Sequence, residues 1–182
     1  MHKPERIYLS GFMGAGKTTI GRPLAEHMDT PFWDLDTLIV EEAGKPISHI
    51  FEDSGEGGFR LLERKTLLEQ ASERRGVIAL GGGSLQNQQV LDYLKDDGIL
   101  VFIKVPITLI IERISGDISR PMLLDEQGNP KEHEQLYNDM QVLYEERLPL
   151  YSQAHITLKV TDENSPQELA EKLIPQIQSY GV

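Results

Sequence analysis

The chain of 182 residues contains no cysteine, which excludes disulfides and thiolate metal sites. It lacks any apolar run approaching the roughly 20 residues needed to cross a bilayer. Its first ten residues are too polar and too short to read as a signal peptide, so the cytoplasm is the expected compartment. Cations are scarce as well: 18 Lys and Arg stand against 29 Asp and Glu, for a formal net charge of −11. That balance argues against non-specific binding to nucleic acid or to an anionic membrane. It leaves small anions open, because a few arginines gathered in one cleft set the field locally. Internal repeats, low-complexity tracts and linkers are also absent. The length fits one domain, residues 1–182, with a core of its own.

What is present is an alternation of short apolar runs with helix-length amphipathic segments. Residues 7–9, 31–33, 77–80, 99–105 and 156–160 read as strands. Helices are expected over 18–28, 58–74, 88–95 and 131–154, with Pro149 kinking or interrupting the last of these. Pro106 suits the first turn of a further helix. Ser165, Pro166 and Glu168 form a capping box that opens a final one. Strands alternating with helices imply an α/β fold on a parallel sheet with right-handed crossovers. Ligands of such sheets sit at the carboxyl ends of the strands.

One segment at such an end carries strong information. Gly11-Phe12-Met13-Gly14-Ala15-Gly16-Lys17-Thr18 matches the phosphate-loop pattern G-x-x-x-x-G-K-[ST]. It follows a strand and opens a helix. A chance match is expected in on the order of one per cent of chains this size. Glycines let consecutive N–H groups curl toward phosphate oxygens, and the helix start adds its positive end. Lys17 is then placed for the β- and γ-phosphates, and the Thr18 hydroxyl for Mg²⁺. The motif alone announces a nucleotide, not a reaction.

Other residues suggest an acceptor. Asp34 and Asp36 close the second strand, where alternation is expected to put both carboxylates on one side with Leu35 opposite. One could serve Mg²⁺, the other an attacking hydroxyl. Arg60 lies on a helix flank beside inward-facing Phe59 and Leu62, able to fork onto a carboxylate. Gly81-Gly82-Gly83 follows the third strand; three glycines cost backbone entropy, and they make sense where a ligand approaches closely. Arg120 falls in a polar stretch, 115–131, that reads as a mobile lid closing over the phosphates. Arg147 sits one helical turn before Tyr151. Taken singly, several of these would be ordinary solvated charges.

Taken in order, the loop, the Asp34–Asp36 pair, Phe59-Arg60 with Glu63, the glycine triplet, Arg120-Pro121 and Arg147 resemble the shikimate kinase family. The resemblance runs from about residue 6 to 161. It implies a three-layer P-loop kinase fold like that of nucleoside monophosphate kinases, with a central five-stranded parallel sheet, helices on both faces and a mobile lid. It implies nucleotide contacts from Gly14, Ala15, Gly16, Lys17, Thr18 and Thr19, with Arg113 flanking adenine and Arg120 on the phosphates. It assigns Mg²⁺ to Thr18 and Asp34, and shikimate to Asp36, Arg60, Gly81, Gly82, Gly83 and Arg147. Lys17, Asp36 and Arg120 would be the catalytic set. ATP and shikimate would be the partners of a monomer, and shikimate 3-phosphate, of aromatic amino-acid biosynthesis, the product. The segment 125–134 is longer than is usual for the family. A gluconate kinase, a nucleoside monophosphate kinase and an ATP-holding module without turnover remain alternatives.

Overall fold

The computed structural model describes residues 5–85, 87–116 and 121–180. Five parallel strands form one sheet in the order β2-β3-β1-β4-β5. They are β1 (Arg6–Ser10), β2 (Phe32–Asp34), β3 (Gly76–Ala79), β4 (Ile99–Lys104) and β5 (Ile156–Lys159). Strands β1, β3 and β4 are almost wholly buried, as a parallel sheet covered on both faces requires. Arg6 and Tyr8 both donate to the carboxylate of Asp97, which ties β1 to the helix preceding β4 at the end of the sheet remote from the phosphate loop. β1 lies between β3 and β4, so segments leaving β1 and β3 face each other at the carboxyl edge.

Helices α1 (Lys17–His27), α2 (Leu35–Ala43), α3 (Ile47–Glu73), α4 (Gln88–Asp97), α5 (Ile107–Ile114), α6 (His133–Tyr151) and α7 (Pro166–Tyr180) connect and cover the strands. Three differ from the sequence reading. Helix α2 begins directly at the end of β2, because the Asp34 carboxylate accepts the N–H of Asp36 and caps it. Helix α3 starts well before residue 58 and bends at Gly55, whose φ of 65° and ψ of −175° are not helical. The turns on either side of the bend are held by Phe51 stacked on Phe59, 4.6 Å between centroids. Helix α6 runs through Pro149 without interruption and ends two residues later; so near the C-terminus, the lost N–H and the ring clash fall on the last turn alone.

Helices α2 and α3 form one unit. The Glu42 carboxylate accepts Lys65 Nζ at 2.7 Å and the hydroxyl of buried Thr66, and Lys45 pairs with Asp53. Donation from Lys65 and Thr66 holds the Glu42 carboxyl below the usual range.

The capping box of α7 is present in both directions. Glu168 N–H donates to Ser165 Oγ at 3.2 Å, and Ser165 N–H donates to Glu168 Oε2 at 2.8 Å. The donors of Ser165 lower the Glu168 pKa. A carboxyl depressed on folding stabilises above its unfolded pKa and loses that contribution as pH falls through its folded pKa. Ser165→Ala should lower the melting temperature by about 2–4 °C at neutral pH. The gap to the unsubstituted protein, followed by thermal unfolding against pH, should narrow below about pH 4.

Candidate active site

The phosphate loop leaves β1 and wraps into α1. Two glycines in it have no substitute. Gly11 has φ 147°, and a Cβ there would stand 2.8 Å from the Ile103 carbonyl; Gly14 has φ 71°, and its Cβ would stand 2.8 Å from Ile114 Cγ2. The loop is therefore pressed against β4 and α5 as well as curled. Lys17 Nζ donates to the carbonyls of Gly11 and Phe12, at 2.9 and 3.0 Å, so its ammonium lies across the loop mouth. Arg113 Nη1 donates to the Gly14 carbonyl at 3.1 Å, which sets this exposed cation beside the loop. Ala15 is buried within the loop, whereas Thr19 is exposed on the first turn of α1.

Asp34 joins the loop to α2. Its Oδ2 accepts the Thr18 hydroxyl at 2.6 Å, and its Oδ1 accepts Asp36 N–H at 3.0 Å. The two carboxylates do not alternate along a strand, as the sequence suggested. Asp34 is the cap, and Asp36 stands in the first turn of α2. Asp36 nevertheless reaches the same cleft: a Cβ on Gly81 would lie 3.4 Å from its Oδ1.

The glycine triplet explains itself residue by residue. A Cβ on Gly81 would collide with Glu63 Oε1; on Gly82 it would stand 3.1 Å from Met13 N; on Gly83 it would stand 2.6 Å from Arg60 Nη1. The triplet thus lies against side chains of α3 at two positions and against the backbone of the phosphate loop at the third.

Glu63 is the buried centre of this arrangement, 3% exposed. It accepts Arg60 Nη1 at 2.7 Å and Ser84 Oγ at 2.8 Å. A carboxylate out of water costs several kcal/mol unless so paired. Arg60 also reaches Glu56 at 3.5 Å, but its Nε is buried without a partner among the described residues. The guanidinium thus keeps one donor unpaired.

Arg147 approaches from α6. It is buried, donates through Nη1 to the Gly82 carbonyl at 2.9 Å, and lies 5.5 Å over the Phe12 ring. Tyr151, one turn on, donates to the same carbonyl and stacks on Phe102. Burial pushes its phenol up to about 12, so it stays a donor at neutral pH.

The fold thus brings Lys17, Thr18, Asp34, Asp36, Arg60, the three glycines and Arg147 to one cleft. Arg120 lies outside the described residues. Past it, a turn of 3₁₀ helix at Pro121–Leu123 anchors the chain through buried Leu123. An exposed turn then follows, in which the Asp125 carboxylate accepts the N–H groups of Gln127 and Asn129. Sequence reasoning gave no role to Glu63, Ser84 or Tyr151; for Glu63 the signal was its i,i+3 spacing from Arg60.

A sequence model of the shikimate kinase family matches residues 13–178. The shikimate kinase of Chlorobium chlorochromatii is 36% identical over 98% of this chain and 93% of its own length. The shikimate kinase of Acinetobacter baumannii, solved in complex with shikimate, superposes with a TM-score of 0.83 at 37% identity, covering 98% of this chain and 95% of that one. A gluconokinase from Sinorhizobium meliloti, covering 100% of this chain and 95% of its own, reaches a TM-score of 0.55 at 16% identity, a likeness of fold alone.

Gly83→Ala should displace the Arg60 guanidinium and leave the sheet intact. Isothermal titration with shikimate, the acceptor expected from the sequence, should show at least tenfold weaker binding. ATP binding and thermal unfolding should change little.

Proposed function

The chain belongs to the shikimate kinase family, and from that premise we infer that its cleft passes the γ-phosphate of ATP to the 3-hydroxyl of shikimate. The observation that carries the acceptor assignment is Arg60, whose Nε has no partner among the described residues and whose guanidinium lies against the vacant Cβ position of Gly83. A planar guanidinium suits a carboxylate. Arg147 supplies a second cation on the opposite side of the glycine turn, and Asp36 an acceptor for ring hydroxyls. One carboxylate and several hydroxyls on a small ring match that set. A nucleoside monophosphate, with its base and phosphate, matches it less well.

On the donor side, Lys17 would leave its loop carbonyls for the β- and γ-phosphate oxygens, while the loop N–H groups cradle the chain of phosphates. Arg113 would flank the adenine. The donor set fits Mg²⁺: Thr18 gives its proton to Asp34 and keeps its oxygen lone pairs for a cation. A hydroxyl and a carboxylate are hard oxygen ligands, and no cluster of three acidic or imidazole groups among the described residues builds a cage without the nucleotide. That is the sparse protein contribution Mg²⁺ usually receives. The ion would neutralise phosphate charge, with Thr18 and Asp34 holding it.

Phosphoryl transfer passes through a loose transition state, so positioning and charge matter more than a strong base. Asp36 would orient the attacking hydroxyl and take its proton. Arg120, in the proposed lid over 115–131, would meet the transferring group on closure. The reading is of a monomer that takes ATP and shikimate. No helix among the described residues is long and apolar enough to cross a membrane; the cytoplasm is the proposed compartment.

A coupled ADP-release assay on shikimate, quinate, gluconate and nucleoside monophosphates tests the reading. Turnover should require Mg²⁺ and be fastest with shikimate; faster turnover of gluconate or a nucleotide would overturn it. Arg60→Ala removes a charge-assisted hydrogen bond worth about 1.5–3 kcal/mol. The Kd for shikimate should rise roughly tenfold or more, while that for ATP holds. Arg120→Ala should lower kcat by roughly 10³-fold with only a few-fold change in the KM for shikimate. A near-normal kcat there would remove Arg120 from the chemistry.

A further inference from the structure

We propose that the Tyr151 hydroxyl is a positioning group of the acceptor site, holding the glycine turn and Arg147 in register through the Gly82 carbonyl. The inference rests on the reading of this cleft as the site of a small hydroxylated carboxylate.

Nothing in the packing calls for a hydroxyl at this position. Tyr151 is 2% exposed, and its ring lies 5.1 Å from that of Phe102 at 22°. Phenylalanine would fill the same stack without burying an oxygen. The Gly82 carbonyl does not need a second donor for satisfaction either, since Arg147 Nη1 already reaches it at 2.9 Å. With the phenol added, both lone pairs of that oxygen are engaged.

The geometry of the two donors gives the second one its purpose. Arg147 and Tyr151 lie one turn apart on α6. One donor alone leaves the carbonyl free to swing about a single hydrogen bond. Two from a rigid helix fix its direction and, with it, the plane of the Gly82–Gly83 peptide. The turn has little room for error. The vacant Cβ position of Gly82 is 3.1 Å from Met13 N, and that of Gly83 is 2.6 Å from Arg60 Nη1. The Gly82 position thus borders the phosphate loop and the Gly83 position the acceptor arginine, so the plane of the peptide between them bears on both. Arg147 is held by the same carbonyl, so the direction of its remaining nitrogens is set as well. The hydroxyl touches neither substrate in this account. It acts through the turn.

Tyr151→Phe keeps the ring stack and removes the hydrogen bond. It should raise the KM for shikimate about 3–10-fold, the effect of one neutral hydrogen bond. The KM for ATP should stay within twofold, and kcat should fall less than the KM rises. In the ligand-free protein, amide exchange of residues 81–83 should quicken while the sheet exchanges as before. In an Arg147→Ala background the same substitution should quicken exchange at residues 81–83 further than it does alone, because it then removes the last donor to the Gly82 carbonyl. An equal rise in both KM values would mark Tyr151 as merely structural. An unchanged KM for shikimate would overturn the proposal whatever the exchange shows. Failure of the unsubstituted enzyme to use shikimate would sink the reading of the cleft. The exchange comparison needs no acceptor, so it would still decide whether the phenol holds the turn.

Discussion

Everything at the acceptor side depends on one close approach: the chain leaving β3 passes between the phosphate loop and α3, where a Cβ at any of three consecutive positions would press on a neighbour. Gly81 abuts Glu63, Gly82 abuts the backbone of Met13, and Gly83 abuts the guanidinium of Arg60. A main chain without side chains can thread this gap and carry its carbonyls to Arg147 and Tyr151. Such close approach is the use that offsets the entropy three glycines cost. It also couples the two halves of the site. Phe12 of the phosphate loop packs edge-on against Tyr144, 5.5 Å between centroids, and lies beneath Arg147. A displacement of the glycine turn is thereby felt in the phosphate loop.

Charge is arranged on the same plan. The chain carries a net −11, yet the cleft gathers Lys17, Arg60 and Arg147 beside the carboxylates of Asp34 and Asp36, with Glu63 buried beneath. Glu63 is satisfied by Arg60 and Ser84, and it holds one edge of the Arg60 fork. A part-buried guanidinium with one edge paired and its Nε without a partner is a costly arrangement for folding alone. It is a sensible one if an anion completes it. Substrate binding then recovers part of the desolvation already spent, which is how a strongly acidic protein can hold an anionic metabolite.

How much of this was legible in the sequence follows from the range of each interaction. The phosphate loop is a local device; its glycines, lysine and threonine could be read from eight consecutive residues. The glycine triplet could be recognised as a close approach, although the groups it approaches come from α3 and the phosphate loop. The capping box of α7 was legible for the same local reason. Helix α2 was not, because one carboxylate at Asp34 both ends β2 and caps the helix, and alternation read through it placed Asp36 on a strand. The first turns of α3 were hidden by Gly55, Gly57 and Gly58, residues of poor helix propensity that the stacking of Phe51 on Phe59 overrides. The meeting of Tyr151 with Gly82 spans 69 residues, and no periodicity encodes it.

The account turns on a carboxylate of the acceptor completing the Arg60 fork, and esterifying that carboxylate tests it most directly. The affinities of shikimate and its methyl ester should be compared, by isothermal titration, in the unsubstituted enzyme and in Arg60→Ala. Esterification should weaken binding at least tenfold in the former and far less in the variant, because the charge it removes has already lost its partner. An equal penalty in both proteins would show that Arg60 does not read the carboxylate, and would contradict the account.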